Sequence, residues 1–347
     1  MFSSSNLAVK IAFVAAIVAL CAALINAILV IAIRLYRQFR ERRDATLLAT
    51  WEPLLYGTAS GARMSTPKVC PRDLRLFLGL WNHLQESVQG EATKALNEFL
   101  IRGGFVPHML NMLAARNPST RLIAITAAGH LRDRAAIEPL LKFARDRMPV
   151  LSFTAARALL RIDVTHTLPL LLDDILSRED WPIAALAAIF RELGANTITA
   201  PLLAIPWHFP PHAARRFLPL LAQAHYEAVA PALRAWLGTV EDPEVLAMAF
   251  ELLRSRDDLP ILAQGAGHAN WLVRMATAKA LGPLVRKEEQ GLLIQLLRDS
   301  SWWVRYRAAQ ALVKLPDMRN EDLLNLRLTI GDRFAADMLA HAMAEPR

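Results

Sequence analysis

Apolar positions along this chain fall into three regimes. From Ile11 to Ile33 they run almost unbroken, 23 residues without a charge in which only Asn26 is polar. Between 34 and 71 they thin out, first into an arginine-rich stretch and then into one rich in Gly, Ser, Thr and Pro. From 72 onward they recur at i, i+3 and i+4, the spacing that lines one face of a helix. Gly291 to Asp299 shows this with Leu292, Leu293, Leu296 and Leu297, and Trp302 to Leu315 shows it with Val304, Ala308, Ala311, Leu312 and Leu315. The pattern predicts short amphipathic helices in pairs, each helix with one stripe to bury.

The pairs repeat. Residues 270–284 and 301–315 share Trp, Val, Arg, Ala, Ala-Leu and a closing Leu at a shift of 31, and 118–131 aligns with 149–162 at the same shift. Arg121, Arg274 and Arg305 thereby occupy one position of the repeat, where 149–162 has Ser152. A single pair cannot bury both of its stripes, so neighbouring pairs are expected to stack around a continuous core. Units are expected to start near 72, 105, 137, 168, 200, 230, 261 and 292, with 322–347 as a terminal cap. The fold class is all-α, an α-solenoid of about eight helical pairs preceded by one transmembrane helix.

The unbroken segment is long enough for that last role. At 1.5 Å per residue, 23 residues make a helix of about 35 Å, against a hydrocarbon core of about 30 Å. A cleaved signal sequence usually has an apolar region of only about 7–15 residues, and here arginines follow at once. Arg34, Arg37, Arg40, Arg42 and Arg43 face only Glu41 and Asp44, while the N-terminal side offers Lys10 and the α-amine. The positive-inside rule then puts the C-terminal side in the cytoplasm. The expected organisation is an external tail over 1–10, a transmembrane helix over 11–33, a basic juxtamembrane segment and linker over 34–71, and the solenoid over 72–347. Within 34–71, residues 45–56 read as a juxtamembrane helix carrying Trp51 and Tyr56, with the linker from Gly57 to Pro71.

Composition sharpens this picture. Ala and Leu supply 57 and 58 of the 347 residues and Gly only 14, which favours helix over sheet. With 54% hydrophobic residues the chain can bury enough surface to fold, so a mainly disordered protein is excluded. Cys21 and Cys70 form neither a disulfide framework nor a CxxC pair. Half of the net charge of +8 lies before residue 45, which leaves the repeats only mildly basic.

The residues Asp299-Ser-Ser-Trp-Trp-Val-Arg305, followed by Ala308-Ala309 and Ala311-Leu312, resemble the short HEAT-like repeats of the bacterial PBS-lyase type. Such units carry an Asp in the turn and an Arg in the second helix that form a hydrogen-bonded ladder between units. The resemblance assigns those structural positions to Asp299, Arg121, Arg274 and Arg305, strongly in 105–163 and 261–315 and weakly between. The layout of one span, Trp51-Glu-Pro-Leu-Leu55 and Leu80-Trp-Asn-His-Leu-Gln-Glu-Ser87 is similar to bacterial single-pass HEAT proteins that accompany membrane glycosyltransferases of exopolysaccharide systems.

Catalytic equipment is not evident. None of the nine histidines precedes a Glu, as the metal-binding HEAT-like hydroxylases require, and GxSxG, GxxxxGK and GxGxxG are missing. His208 and His212 have a metal-ligand spacing, but Pro210 and Pro211 break the helix it needs. Ser65 to Lys68 matches SxxK in a stretch too flexible to hold Lys against Ser. No catalytic, cofactor or metal residue is assigned, and the chain is read as a non-enzyme. Two patches are candidates for partner binding: Trp303 and Arg307, which do not repeat, and the proline-rich turn with Trp207, Arg215 and Arg216. Trp271 and Trp302 do repeat, which is what packing between units predicts.

The expected function is a membrane-anchored cytoplasmic scaffold or regulatory subunit at a bacterial inner membrane. Its expected contacts are a membrane-associated protein partner and the bilayer, with neither nucleic acid nor a small-molecule substrate. The alternatives are a nucleic-acid-binding HEAT-like protein and a HEAT-like lyase or hydroxylase.

Overall fold

A computed structural model describes residues 3–316 and 318–345. Among the described residues there are eighteen α-helices and no strand. They fall into two compact units, divided between Pro139 and Leu140.

The first unit opens with α1 (Ser3–Ala59), a single helix that at 1.5 Å per residue extends about 85 Å. Met1 and Phe2 of the expected external tail lie outside the described residues, and Ser3 to Lys10 continue the helix. Among the described residues of its apolar part, Leu20, Ile25 and Ile28 are exposed, and the window long and apolar enough to cross a membrane is wholly unburied. Its last turns are different. Trp51, Leu55 and Thr58 are buried against α2 (Leu74–Ser87) and α3 (Glu91–Arg102), with the Trp51 ring edge-on to Phe77 at 5.4 Å. The segment from 34 to 71 is therefore helix as far as Ala59, and extended coil from 62 to 70. Trp51 sits in the core and Tyr56 faces solvent.

The rest of this unit is α4 (Val106–Met112) and α5 (Pro118–Leu131), a helical pair. The side chain of Asn117 caps α5 by accepting from the Ser119 amide at 2.9 Å. Trp81 is fully buried and donates its indole N–H to the Leu96 carbonyl at 3.1 Å, so the largest ring of α2 brings no unpaired donor into the core. Gln85 donates to Asn97 Oδ1 at 2.7 Å, and Asn97 in turn donates to the His130 carbonyl, which ties α2, α3 and α5 together.

The division falls in the first turn of α6 (Ile137–Ala144), which leads into α7 (Pro149–Ser177). α7 is two helices, 149–162 and 164–177, joined at Asp163, whose backbone is extended (φ −159°). Thr167 Oγ1 bridges the join by donating to the carbonyls of Leu159 and Asp163 at 3.0 and 2.8 Å. The following helices are α8 (Ile183–Leu193), α9 (Ala195–Leu203), α10 (Pro211–Leu221), α11 (Tyr226–Leu237), α12 (Pro243–Phe250), α13 (Leu259–Ala266), α14 (Trp271–Leu281), α15 (Gly291–Leu297), α16 (Trp302–Val313), α17 (Asn320–Thr329) and α18 (Arg333–Ala344).

These are consecutive pairs. The second helices α8, α10, α12, α14, α16 and α18 pack each on the next, and first helices such as α9 and α11 form the other layer. The core between the layers is Leu and Ile from first helices (Leu262, Leu293, Leu296) and Val and Ala from second helices (Val273, Ala276, Val304, Ala308). Each such Leu stabilises the fold by roughly 1.5–3 kcal/mol relative to exposure. The alanines matter by being small. Gly265 shows how close the helices come: a Cβ there would lie 2.1 Å from the Phe250 ring and 2.5 Å from Thr277 Oγ1.

The terminal segment expected as a cap is itself a complete pair, α17 and α18. Asp332 makes the second helix possible by accepting from the Ala335 amide at 2.9 Å. The irregular region lies earlier, over 74–102, where α2 and α3 are organised around the end of α1.

Candidate functional site

The repeat arginines act first within their own unit. Arg274 Nη1 donates to the carbonyls of His268 and Ala269 at 2.8 and 2.9 Å, and Arg305 Nη1 donates to those of Asp299 and Ser300 at 2.8 and 3.0 Å. Arg121 reaches the carbonyl five residues before it, that of Arg116, at 3.4 Å. Each guanidinium therefore stitches the turn that precedes its helix, supplying donors to carbonyls that would otherwise be orphaned at a tight turn.

Arg274 also reaches forward. Its Nε and Nη2 bind the two oxygens of Asp299 at 2.6 and 2.9 Å, and Asp299 accepts from the Ser301 amide at 2.8 Å. This bidentate rung joins α14 to the turn of the next pair. Burial, the largest influence on Asp299, would raise its pKa, but the Arg274 and Ser301 hydrogen bonds prevail and hold it below the usual value. Among the described residues no acid ahead of Arg305 completes such a rung; its guanidinium lies over the Phe334 ring of α18 at 5.5 Å.

A family model described as HEAT repeats matches residues 106–190 and 259–344, the stretches that hold the periodic arginines and the Arg274–Asp299 rung. These two segments are HEAT repeats. Comparison with curated proteins finds no match. The HEAT match includes 164–190 and 316–344, beyond the strongest stretches of the sequence pattern, and omits 191–258.

Where the repeat arginine is lost, other side chains join the pairs. At the Ser152 position the hydroxyl accepts from the indole N–H of Trp181 in the following turn at 3.0 Å, both residues being fully buried. Glu192 holds Arg157 and Arg161 from the preceding pair. Arg215 binds Glu244 at 2.5 Å. The largest such junction is Asp258, a carboxylate with no exposed surface. It accepts from Tyr226 Oη, from Arg234 Nε at 2.7 Å, and from the Arg254 and Ser255 amides at 3.0 and 2.8 Å. Burial and then the bond to Asp258 push the Tyr226 hydroxyl up to about 12. Asp258 itself lies below its usual value, because the hydrogen bonds it accepts outweigh the opposing effect of burial.

The predicted partner-binding residues divide by environment. Trp207 lies in the coil before α10, donates to the Leu202 carbonyl at 3.2 Å and packs on Phe217 and Trp236. Arg216 is taken up by the carbonyls of Ile175 and Trp181, both at 2.8 Å, and Arg215 by Glu244. Trp303 is open to solvent, and Arg307 lies beside it on α16, its guanidinium over the Tyr306 ring at 5.7 Å and bound to Gln310 at 2.8 Å.

The periodic tryptophans are not in the joints between units. Trp271, Trp302 and Trp303 are 39%, 46% and 51% exposed, and Phe334 is 68% exposed. They occupy the first turns of α14, α16 and α18, ahead of the buried face that begins at Val273 and Val304. Because these helices pack side by side, the four rings form one ridge along the edge of the last three pairs. Trp302 stacks on Tyr306 at 5.1 Å and meets Trp303 edge-on at 4.7 Å, which holds the two rings of α16 in place. Among the described residues no group of three or more His, Cys, Asp or Glu side chains is disposed to hold a metal ion. His208 lies in coil and His212 in the first turn of α10.

The membrane-boundary arginines also differ from one another. Arg34, Arg37, Arg40 and Arg42 are exposed, whereas Arg43 makes a bidentate bond to Asp73 at 2.6 and 2.7 Å that fastens α1 to the start of α2. Nothing in the sequence pattern marks Asp73, Tyr226, Asp258 or Trp181 as partners, since each pair is joined at its own sequence separation.

Proposed function

We propose that this chain is a membrane-anchored cytoplasmic scaffold whose last three HEAT pairs bind a membrane-associated protein through the aromatic ridge. The observation that carries the reading is the ridge: four large rings, each 39–68% exposed, at one edge, with Arg305 and Arg307 beside them. Trp and Arg are the residues that most often dominate binding energy at protein interfaces, and preordered rings lose little entropy on contact. The unburied apolar length of α1 and the arginines after it support an anchor with the repeats on the cytoplasmic side of a bacterial inner membrane. Confinement to the membrane plane raises the effective concentration of a membrane partner. The partner class implied by the layout is a membrane glycosyltransferase of an exopolysaccharide system.

The test is photocrosslinking in the membranes of the source cells, with the crosslinker at 303 and, as a control, at the exposed Leu324. A discrete membrane-protein adduct at 303 and none at 324 is expected. Removing both rings, W302A with W303A, should lower recovery of that partner by at least about tenfold, as for an interface hot spot. Equal adducts at the two positions, or recovery unchanged in the double variant, would refute the ridge as the binding surface.

A further inference from the structure

We propose that the cleft between α1 and the start of α2 is a binding site for the phosphate headgroup of an anionic phospholipid. This rests on α1 crossing the membrane as proposed above. The cleft has a volume of about 310 Å³, and its walls carry Tyr36, Phe39, Arg40, Arg43, Arg72 and Arg75. Two acids also line it, Asp44 and Asp73. Asp73 is fully engaged by Arg43, and Asp44 holds Arg40 only at 3.9 Å. Arg72 and Arg75 have no carboxylate partner among the described residues, so two guanidinium groups face the cleft with donors to spare. Four arginines against two acids leave it with a net charge of +2.

Position along α1 selects the ligand. Tyr36 and Phe39 follow Ile33 by three and six residues, about 5 and 9 Å down the helix axis. The headgroup layer extends roughly 5–8 Å beyond the hydrocarbon on each side, so the exposed Tyr36 ring lies at the depth where aromatic side chains anchor in the interface and the exposed Phe39 ring sits at its outer edge. Arg40 is one residue further on, within side-chain reach of the lipid phosphates. Arg72 and Arg75 are brought to the same depth only by the fold, because the Arg43–Asp73 clamp and the burial of Trp51 hold α2 against α1. A preformed cationic cleft with aromatic rings on its membrane side fits a phosphate that arrives with acyl chains attached. Guanidinium groups bind such oxygens with parallel N–H donors.

The probe is phosphatidylglycerol against phosphatidylcholine, offered to the full-length chain in mixed micelles, with retained lipid counted by native mass spectrometry. The wild type should retain phosphatidylglycerol preferentially. R72Q with R75Q should cut that preference about tenfold, by the removal of two basic side chains near the surface. A charge-matched control elsewhere in the unit, R102Q with R116Q, should leave it intact, and excess inorganic phosphate should not compete. A preference unchanged in the first variant overturns the proposal, and full competition by inorganic phosphate reassigns the cleft to a free anion. Flotation with vesicles separates the two readings. A chain that floats without preferring phosphatidylglycerol sinks the headgroup site alone, whereas one that fails to float sinks the anchor and this proposal with it.

Discussion

Replacing Asp258 with alanine is expected to destabilise the protein by about 3 kcal/mol, the scale of breaking a buried, fully hydrogen-bonded charge cluster. The substitution strands Tyr226 Oη, the Arg234 guanidinium and two backbone amides that together satisfy one carboxylate with no access to water. A thermal melt of the full-length chain in mild detergent, followed by helical circular dichroism, measures the loss. Tyr226→Phe removes one donor and should cost about 1 kcal/mol. The pH dependence has two edges. Asp258 has a folded pKa below its unfolded value, so its contribution is complete above about pH 4 and is lost as pH falls through the folded value. Tyr226 has a folded pKa raised to about 12. Its contribution is complete below the unfolded value of about 10 and is lost as pH rises through the folded one. The deficit of the Asp258 variant should therefore be constant between these edges and shrink in acid. A deficit that stayed the same far below pH 4 would show that packing, not charge, makes the junction.

Trp181→Ala is expected to cost about 3–5 kcal/mol, the range for deleting a large buried aromatic side chain. Trp181 is wholly buried, and Phe153 meets it edge-on at 6.1 Å while the Arg178 guanidinium lies over its face at 4.9 Å. Its indole N–H serves Ser152 and its carbonyl serves Arg216, so one residue joins the pairs on either side. Trp181→Phe should recover most of the loss, since it restores ring area and gives up one hydrogen bond worth about 1 kcal/mol. Chemical denaturation of both variants checks the order. Equal loss in Phe and Ala would mean that the hydrogen bond, rather than ring volume, carries the stability.

These two junctions mark the boundary of what the sequence discloses. Helical pairs were legible from spacing alone, because burial of one stripe is a local, periodic requirement that every pair must meet. The Arg274–Asp299 rung was legible only through the family resemblance, which implies a ladder of turn Asp and helix Arg between units, although in this chain the full Asp-and-Arg pattern occurs in a single unit. Trp181 with Ser152, Glu192 with Arg157 and Arg161, and Asp258 with Arg234 solve the same problem with different chemistry at different separations. No period reveals them. The terminal helical cap expected over 322–347 holds a full second helix, begun by the Asp332 cap. Gly57 suggested a linker, but the helix continues past it to bury Thr58.

Exposure was the least legible property. The periodicity of Trp271 and Trp302 pointed inward, whereas first-turn positions fall outside the buried face, so their repetition builds a surface ridge. Trp207 lies in the coil before α10, but Arg215 and Arg216, expected in the same proline-rich turn, lie in α10 itself and are engaged by Glu244 and by the carbonyls of Ile175 and Trp181. Arg72 and Arg75 are unremarkable in sequence and gain their setting only from the docking of α2 on α1.

If one helix carries the HEAT repeats on the cytoplasmic face of a membrane, the two native cysteines report it directly. Cys70 is exposed in the coil after α1, and Cys21 lies in the apolar part of the helix. With Cys21 replaced by Ala, a membrane-impermeant maleimide should label Cys70 only after the membrane of intact spheroplasts is opened, while a cysteine placed at Ser5 should be labelled beforehand. Labelling of Cys70 in intact spheroplasts, or recovery of the chain in the soluble fraction, would contradict the account.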